Sequence, residues 1–218
     1  MFTNSYETDN GMIQLPATFH VFSKEGARSV DFEKESRDFQ KVLDGAMKES
    51  DVQSYIKENS KWFIPLCILK NYEFGHHFAC VVPEFQLGTE YRVDYLLIGK
   101  NSLGYNYVFV EFEDVNIDYS IKNSNAESDK VRKGITQIRD WKRWIKNNKQ
   151  YFENNPGIKL IDNHIPDYAF RYCLVVSRRS KMKEIDNNLR GELKCERGIE
   201  VITYDRIVDD IRYMSIGI

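Results

Sequence analysis

The stretch that most restricts the fold of this chain is a pair of adjacent β-strand patterns, VDYLLIG (93–99) and YNYVFVEFE (105–113). Both runs are rich in β-branched and aromatic residues, and the Gly/Asn/Ser-rich segment between them is typical of a turn. The pattern predicts a β-hairpin in the protein core. Carboxylates nevertheless lie inside both runs, at Asp94, Glu111 and Glu113. Buried ionised carboxylates are normally paired, protonated or bound to a metal, so these three need a chemical explanation.

The turn determines how the two strands pair. If it is centred on NSLG, with Asn101 opposite Gly104, then Asp94 lies opposite Glu111. Opposed residues of an antiparallel pair have Cβ atoms about 4.5–5.5 Å apart on one face, and Glu113 follows on that face. Repulsion among the carboxylates raises at least one pKa unless a cation compensates. Two or three carboxylates plus waters make a Mg²⁺ site, which is suited to hydrolysing phosphodiesters.

A solvent-facing edge hairpin is the alternative explanation for the three acids. Leu96 and Phe109, the expected neighbours on the same face, are apolar and argue against full solvation. We therefore favour the metal site.

The rest of the chain predicts an α/β protein with a mixed β-sheet flanked by helices. Apolar periodicity indicates a helix at about 31–48, a short helix capped by Ser50 and Asp51, and a long helix at about 127–149. The other predicted elements are strands at about 78–88, 171–177 and 198–205 and helices at about 182–193 and 206–214.

Length and composition limit the class of protein. A chain of 218 residues, 42% of them hydrophobic, has room for one sizeable core. We divide it into an N-terminal extension, residues 1–50, and a main domain, residues 51–218. No apolar run approaches the ~20 residues of a membrane helix, and the first residues do not resemble a secretory signal. We therefore expect a cytoplasmic protein that does not associate with membranes.

Basic residues are concentrated in two places although the net charge is −2. Between Lys130 and Lys149 lie eight basic residues and one acid, and a second basic group follows the strand predicted at 171–177. Such patches fit a localised phosphate contact, and an ordinary solvated helix face is the alternative. The candidate DNA-contacting residues are Lys133, Arg139, Lys142, Arg143, Arg178 and Arg179.

Several motifs carry a resemblance to a known family. Asp94, the turn and the segment VEFE (110–113) resemble the D…(D/E)-x-K hairpin of the PD-(D/E)XK nuclease superfamily. VPEFQLG upstream, ITQIRDWKRWI after the hairpin and the late GIEVITYDRI are together similar to the nuclease domain of the Shedu family of bacterial anti-phage defence proteins, over residues 50–212. The resemblance implies a restriction-endonuclease-like core and a Mg²⁺-dependent, or Mn²⁺-dependent, endonuclease acting on foreign or phage DNA. We also expect a homo-oligomer.

The resemblance implies roles for the hairpin acids. Asp94 and Glu111 would be metal ligands, and Glu113 occupies the position usually held by the catalytic lysine. At that position a glutamate would orient or deprotonate the attacking water, or bind a second metal.

Two further residues are candidates for the site. Glu84 matches an upstream acid of the family that completes the metal shell or holds a water, and Glu58 on the preceding helix is its rival. Gln137 resembles a residue placed against the active site or the DNA backbone, and a surface helix position explains it equally well.

Glu113 also supports a hypothesis from another class, a catalytically inactive nuclease-fold module for DNA binding or assembly. Retention of all the acids argues against it, because a degenerated site has no reason to keep their repulsion. A restriction or repair nuclease outside defence is a third possibility.

Overall fold

A mixed β-sheet forms the centre of the fold in the computed structural model, which describes residues 2–8, 11–28, 30–75, 77–122 and 124–214. The described strands are β1 (Phe2–Thr3), β2 (Ser5–Thr8), β3 (Gly11–Gln14), β4 (His20–Phe22), β5 (Phe78–Leu87), β6 (Tyr91–Asn101), β7 (Gly104–Phe112), β8 (Phe170–Val175) and β9 (Ile199–Ile202). Among these residues, seven strands pair in the order β1-β4-β5-β6-β7-β8-β9, while β2 and β3 form a separate hairpin. The pairs from β1 to β7 are antiparallel, and β8 and β9 are added in parallel.

Helices cover both faces of this sheet, as the sequence predicts. They are α1 (Lys24–Ala27), α2 (Phe32–Gly45), α3 (Glu49–Glu58), α4 (Phe63–Leu66), α5 (Asp129–Glu153), α6 (Pro156–Ile161), α7 (Glu184–Arg197) and α8 (Tyr204–Arg212), with 3₁₀ turns at Cys67–Tyr72, Asp167–Ala169 and Arg179–Lys181. Helix α5 crosses from β7 to β8 and packs on the face that buries Leu96 and Phe109. Helices α2, α3, α4 and α8 pack on the opposite face, over Leu97 and Val110. The α/β class with a mixed sheet is confirmed.

The first fifty residues contribute to the same sheet and core as the rest of the chain. Strand β4 pairs with β5, and β1 pairs with β4. Helix α2 packs against α8, where the buried Ser36 hydroxyl donates to the carbonyl of Val208 (2.9 Å). None of the helices in the described ranges is long and apolar enough to cross a membrane.

The start of α3 differs from the prediction in a way that matters for the site. Ser50 and Asp51 lie inside the helix, which begins at Glu49. Asp51 still stabilises the helix start, because its carboxylate accepts the backbone N–H groups of Met47 (2.8 Å) and Lys48 (3.1 Å). An acid three residues into a helix satisfies N–H groups that have no intrahelical partner. The prediction that these two residues precede the helix is wrong, and Glu49 becomes its first residue.

Candidate active site

The hairpin pairs in the predicted register up to the first acid. Strands β6 and β7 are paired from Asn101–Gly104 to Tyr95–Val110. At the next position a side chain takes the place of a backbone carbonyl as hydrogen-bond acceptor, because Oδ2 of Asp94 accepts the N–H of Phe112 at 2.8 Å. Asp94 is thereby held at the end of β7, beside the two glutamates that flank Phe112 in sequence.

At Asp94 the side chains of β6 stop alternating regularly between the two faces of the sheet. Side chains of β6 that pack towards α5 include Val93 and then Leu96, a step of three residues in place of the usual two. Glu84, which lies opposite Asp94 on β5, has a left-handed backbone (φ +51°), and β5 makes the same three-residue step around it. Asp94 lies within this three-residue step and does not pack into the core beneath α5. Its carboxylate instead accepts the N–H of Phe112 on β7.

Glu111 and Glu113 lie under α5. Their side chains are almost fully buried, with residue exposures of 4% and 0%. The backbone of Glu113 is fixed on both sides, because its N–H donates to Val175 (2.9 Å) and its carbonyl accepts the hydroxyl of Tyr204 (2.6 Å). Helix α5 approaches closely at Gly134, where a Cβ would lie 3.0 Å from Cγ of Glu113. A side chain at position 134 would therefore push the helix away from the acids.

Several buried oxygens in this region remain unpaired. Oε2 of Glu111, Oε2 of Glu113 and Oε1 of Gln137 are buried and have no hydrogen-bond partner among the residues that the structure describes. Lys133 lies one helical turn before Gln137 on α5, and its Nζ is 3.3 Å from Oε1 of Glu113. Buried polar atoms are normally satisfied, so unpaired oxygens of this kind indicate a place for water, an ion or a ligand.

The structure adds an acid that the sequence reasoning missed. Glu49 opens α3, and its backbone N–H donates to Oδ1 of Asp114 (3.0 Å), whose Oδ2 lies 3.3 Å from Nζ of Lys130 on α5. Asp114 thus holds the start of α3 next to α5. Glu58, the rival that the sequence suggested, is exposed near the other end of α3. The signal that was available is Asp51, whose position three residues after Lys48 marks a helix start at Glu49.

The carboxyl groups perturb one another. Burial raises the pKa of Glu49 to about 7, and the charges of Asp94 and Glu113 add to this. Burial also raises the pKa of Asp94 to about 6, although a backbone hydrogen bond opposes the shift. Burial, Asp94 and Glu49 raise the pKa of Glu111 to about 10. Burial raises the pKa of Glu113 as well, and Lys133 opposes it. The four groups cannot all be ionised at neutral pH without additional positive charge.

The donor atoms fit a hard divalent cation. Within the described part of the chain, no three Asp, Glu, His or Cys side chains already converge closely enough to hold a metal ion. Mg²⁺, however, is usually bound through one or two carboxylates and keeps several waters. Glu111 and Glu113 each present an oxygen that lacks a partner among the described residues. Carboxylate oxygens of this kind are the ligands that Mg²⁺ and Mn²⁺ prefer.

Glu84 lies at the mouth of the site. With Glu49 and Asp94 it lines an open cavity of about 330 Å³ between α3 and the sheet. Its carboxylate is exposed and lies 3.4 Å from Nζ of Lys57 and 3.8 Å from Arg92. The structure therefore places Glu84 next to Asp94.

The cations predicted on α5 extend away from the acids. Arg139, Lys142 and Arg143 line a cavity of about 720 Å³ beside α7. Arg139 and Arg143 are exposed, and Arg143 pairs with Asp140 (2.6 Å). Lys142 is used internally, because its ammonium donates to the carbonyl of Arg197 and lies over the ring of Tyr172.

The two arginines after β8 have different surroundings. Arg178 is buried, and its guanidinium binds Asp205 with two nitrogens and also binds Asp44 (3.0 Å). It is therefore an internal ion-pair residue, and we do not carry its predicted DNA contact forward. Arg179 is exposed and pairs with Asp209, so it remains a candidate for DNA contact.

The fold and the site together define an α/β protein that gathers acidic side chains at the ends of its central hairpin, beneath a basic helix. A comparison with protein families matches residues 46–208 to the family described as Shedu protein SduA, C-terminal. The match covers more than half of the chain, and the chain therefore belongs to this family, as its motifs predict. Membership associates it with anti-phage defence. No curated protein matches the chain.

Proposed function

We propose that the chain is a metal-dependent DNA endonuclease that hydrolyses phosphodiester bonds of foreign or phage DNA in anti-phage defence. The observation that carries this proposal is the gathering of Asp94, Glu111 and Glu113 at the ends of β6 and β7, under a helix rich in exposed cations. Asp94 and Glu111 also occupy the acidic positions of the D…(D/E)-x-K pattern. Membership of the Shedu family supports the defence role.

The acids have separate roles in this proposal. Asp94 and Glu111 would hold Mg²⁺ or Mn²⁺, with Glu49 as a further acid beside them. Bound metal would polarise a phosphate and make a water more acidic. Glu113 orients the attacking water and takes up its proton. The water oxygen forms a bond to phosphorus while the bond to the leaving sugar oxygen breaks, and that oxygen takes up a proton from solvent water.

Contacts with DNA come from cations outside the acidic cluster. Lys133, Arg139 and Arg143 are exposed along α5, and Arg179 is exposed after β8. Contacts between such cations and DNA phosphates position the protein and carry no sequence information. We therefore infer binding that is sensitive to salt.

Plasmid cleavage tests the proposal. Supercoiled plasmid is incubated with the full chain in Mg²⁺, in Mn²⁺ and in EDTA, and Glu111→Ala is assayed in the same way. The control is Glu200→Ala, which removes an acid of β9 that is paired with Lys194. We expect cleavage in either metal, none in EDTA, loss of cleavage in Glu111→Ala and retention in the control. If wild type and Glu111→Ala leave the plasmid equally intact in every metal, the proposed endonuclease activity is contradicted.

The glutamate at position 113 favours a second candidate function, a catalytically inactive DNA-binding or assembly module. Such a protein binds DNA and leaves it uncut in both metals. Measuring DNA binding on the same preparations by fluorescence anisotropy separates this candidate from an inactive preparation, because only a folded module retains salt-sensitive binding.

A further inference from the structure

Position 113 carries a glutamate where the D…(D/E)-x-K hairpin pattern has a lysine. A lysine of helix α5 nevertheless lies beside this glutamate. We propose that Lys133, near the start of α5, is a catalytic residue that supplies the positive charge missing from the hairpin. This inference rests on the proposed endonuclease function. The sequence pattern places Lys133 only among the cations that contact DNA.

The position of the ammonium supports this role. Nζ of Lys133 lies 3.3 Å from Oε1 of Glu113, and the side chain of Glu113 is 1% exposed against 58% for that of Lys133. The lysine therefore reaches from solvent to the edge of a buried acid. A lysine ammonium has three N–H donors, and this contact uses one of them. The remaining donors are available to a phosphate oxygen that approaches Glu113 from the solvent side.

Two features hold the start of α5 at this place. Gly134, the next residue, allows the helix to approach Glu113 so closely that a Cβ would be 3.0 Å from Cγ of the acid. Asp114 binds Lys130, one turn before the glycine, at 3.3 Å and accepts the N–H of Glu49. The lysine is thus presented from a helix turn that is fixed to the strand end and to α3.

Lys133 also acts electrostatically on the whole acidic cluster. Its charge opposes the rise that burial causes in the pKa of Glu113, and it does the same, more weakly, for the three other carboxyls of the cluster, Glu49, Asp94 and Glu111. The contact with Glu113 at 3.3 Å places this charge at the solvent edge of the acidic cluster.

Other cations of α5 are placed differently. Arg143 is ten residues further along, which is about 15 Å along the helix axis, and it pairs with the surface acid Asp140. Arg139 lines the cavity beside α7. These residues fit contacts with the DNA backbone away from the scissile phosphate, whereas Lys133 faces the acids.

The chemistry assigned to Lys133 involves no transfer of its proton. As the water oxygen bonds to phosphorus, negative charge grows on the non-bridging oxygens and on the leaving oxygen. The ammonium donates hydrogen bonds to these oxygens and stays protonated throughout. Fixed donors directed at developing charge contribute typically ~10²–10³-fold to a rate.

The test separates catalysis from binding. Lys133→Met and Lys133→Arg are compared with wild type, with Arg139→Met as a DNA-backbone variant and with Lys194→Met as a matched control. Lys194 is similarly exposed (66%) and also pairs with a less exposed glutamate, Glu200, outside the site. Single-turnover cleavage is measured at saturating DNA, DNA affinity by anisotropy in EDTA, and folding by thermal unfolding.

We expect Lys133→Met to lose about 10²–10³-fold in cleavage at saturating DNA, with an affinity in EDTA no weaker than that of Arg139→Met. Its Tm should fall, because the buried Glu113 loses its partner, but the variant should unfold in one cooperative transition above the assay temperature. Lys133→Arg should be clearly faster than Lys133→Met, and Lys194→Met should equal wild type. Wild-type cleavage by Lys133→Met, full recovery of its rate at saturating DNA, or equal rates for the two Lys133 variants would each overturn the inference. A wild type that cuts in neither metal would instead overturn the proposed function and this inference together.

Discussion

The carboxyl group of Glu111 is buried, and one of its oxygens has no hydrogen-bond partner among the described residues. Burial and the charges of Asp94 and Glu49 disfavour its ionised form. Such a group destabilises the folded chain, because folding removes its hydration without replacing it. Residues that oppose stability in this way are concentrated at functional sites.

Replacing this acid by its amide should separate stability from function. We expect Glu111→Gln in EDTA to be more stable than wild type by roughly 1–2 kcal/mol, which corresponds to a Tm about 2–8 °C higher for a chain of this size. The amide keeps the shape of the side chain and is neutral in both states, whereas the carboxyl, with its pKa raised to about 10, must take up a proton on folding at neutral pH. We also expect that Mg²⁺ no longer raises the Tm of the variant, because a ligand stabilises only a protein that binds it.

Thermal unfolding with and without Mg²⁺ measures both effects. Glu200→Gln is the control, since its carboxylate pairs with Lys194 outside the site. It should lose a little stability and keep the response to Mg²⁺. An unchanged Mg²⁺ response in Glu111→Gln would rule out this residue as a metal ligand.

The sequence predicted some of these residues and not others for a physical reason. The hairpin register that brings Asp94 close to the end of β7 was predictable, because a short turn determines which residues of the two strands meet. Glu49 was missed because its place depends on Asp114, which is 65 residues away. The three-residue step around Glu84 and Asp94 was also missed, since regular strand alternation does not predict it.

Among the elements, the loop after β8 and the start of α8 are joined by a buried arginine. Arg178 binds Asp205, the second residue of α8, and also Asp44 near the end of α2. Arginine presents a rigid planar set of donors that suits such a double contact. The arginine is therefore a structural link between three segments on one face of the sheet.

Breaking this link should reduce stability without touching the acidic site. We expect Arg178→Met to lose about 3 kcal/mol at neutral pH, because Asp205 is left partly buried without its main partner. Urea unfolding measures the change. Arg179→Met, which removes an exposed cation paired with Asp209, should lose far less. Equal losses in the two variants would show that burial of Arg178 adds nothing.

The pH dependence of this loss has a definite sign. Burial alone would raise the pKa of Asp205, but hydrogen bonds from Arg178 and from the N–H of Arg179 outweigh it and lower the pKa below 3.8. The ion pair thus contributes fully above the unfolded pKa and loses its contribution as pH falls through the lower folded value. The difference between wild type and Arg178→Met should therefore be constant near neutrality and shrink below about pH 4. A difference that grows in acid would contradict this assignment.

At the scale of the whole molecule, the sheet separates two hydrophobic cores, one on each face. One face buries the hydrophobic residues of α2, α3, α4 and α8, and the other carries α5. The acids lie where the two faces meet at the strand ends, between the first residues of α3 and α5. The chain has a net charge of −2, so the proposed attraction to DNA depends on local groups of cations such as the one on α5.

The last prediction concerns this distribution. The double variant Arg139→Ala with Arg143→Ala should bind every DNA sequence more weakly, because both guanidiniums are exposed on the DNA-facing helix that we propose. Each phosphate contact releases counterions, so the slope of log K against log salt should decrease by about 0.9 per lost contact, or about 2 in total. The control double variant Lys34→Ala with Lys41→Ala removes two exposed cations of α2, both paired with Asp38. Anisotropy titrations over a salt series measure both slopes, and an equal decrease in the two variants would mean that binding follows net charge and not the placement of cations on α5.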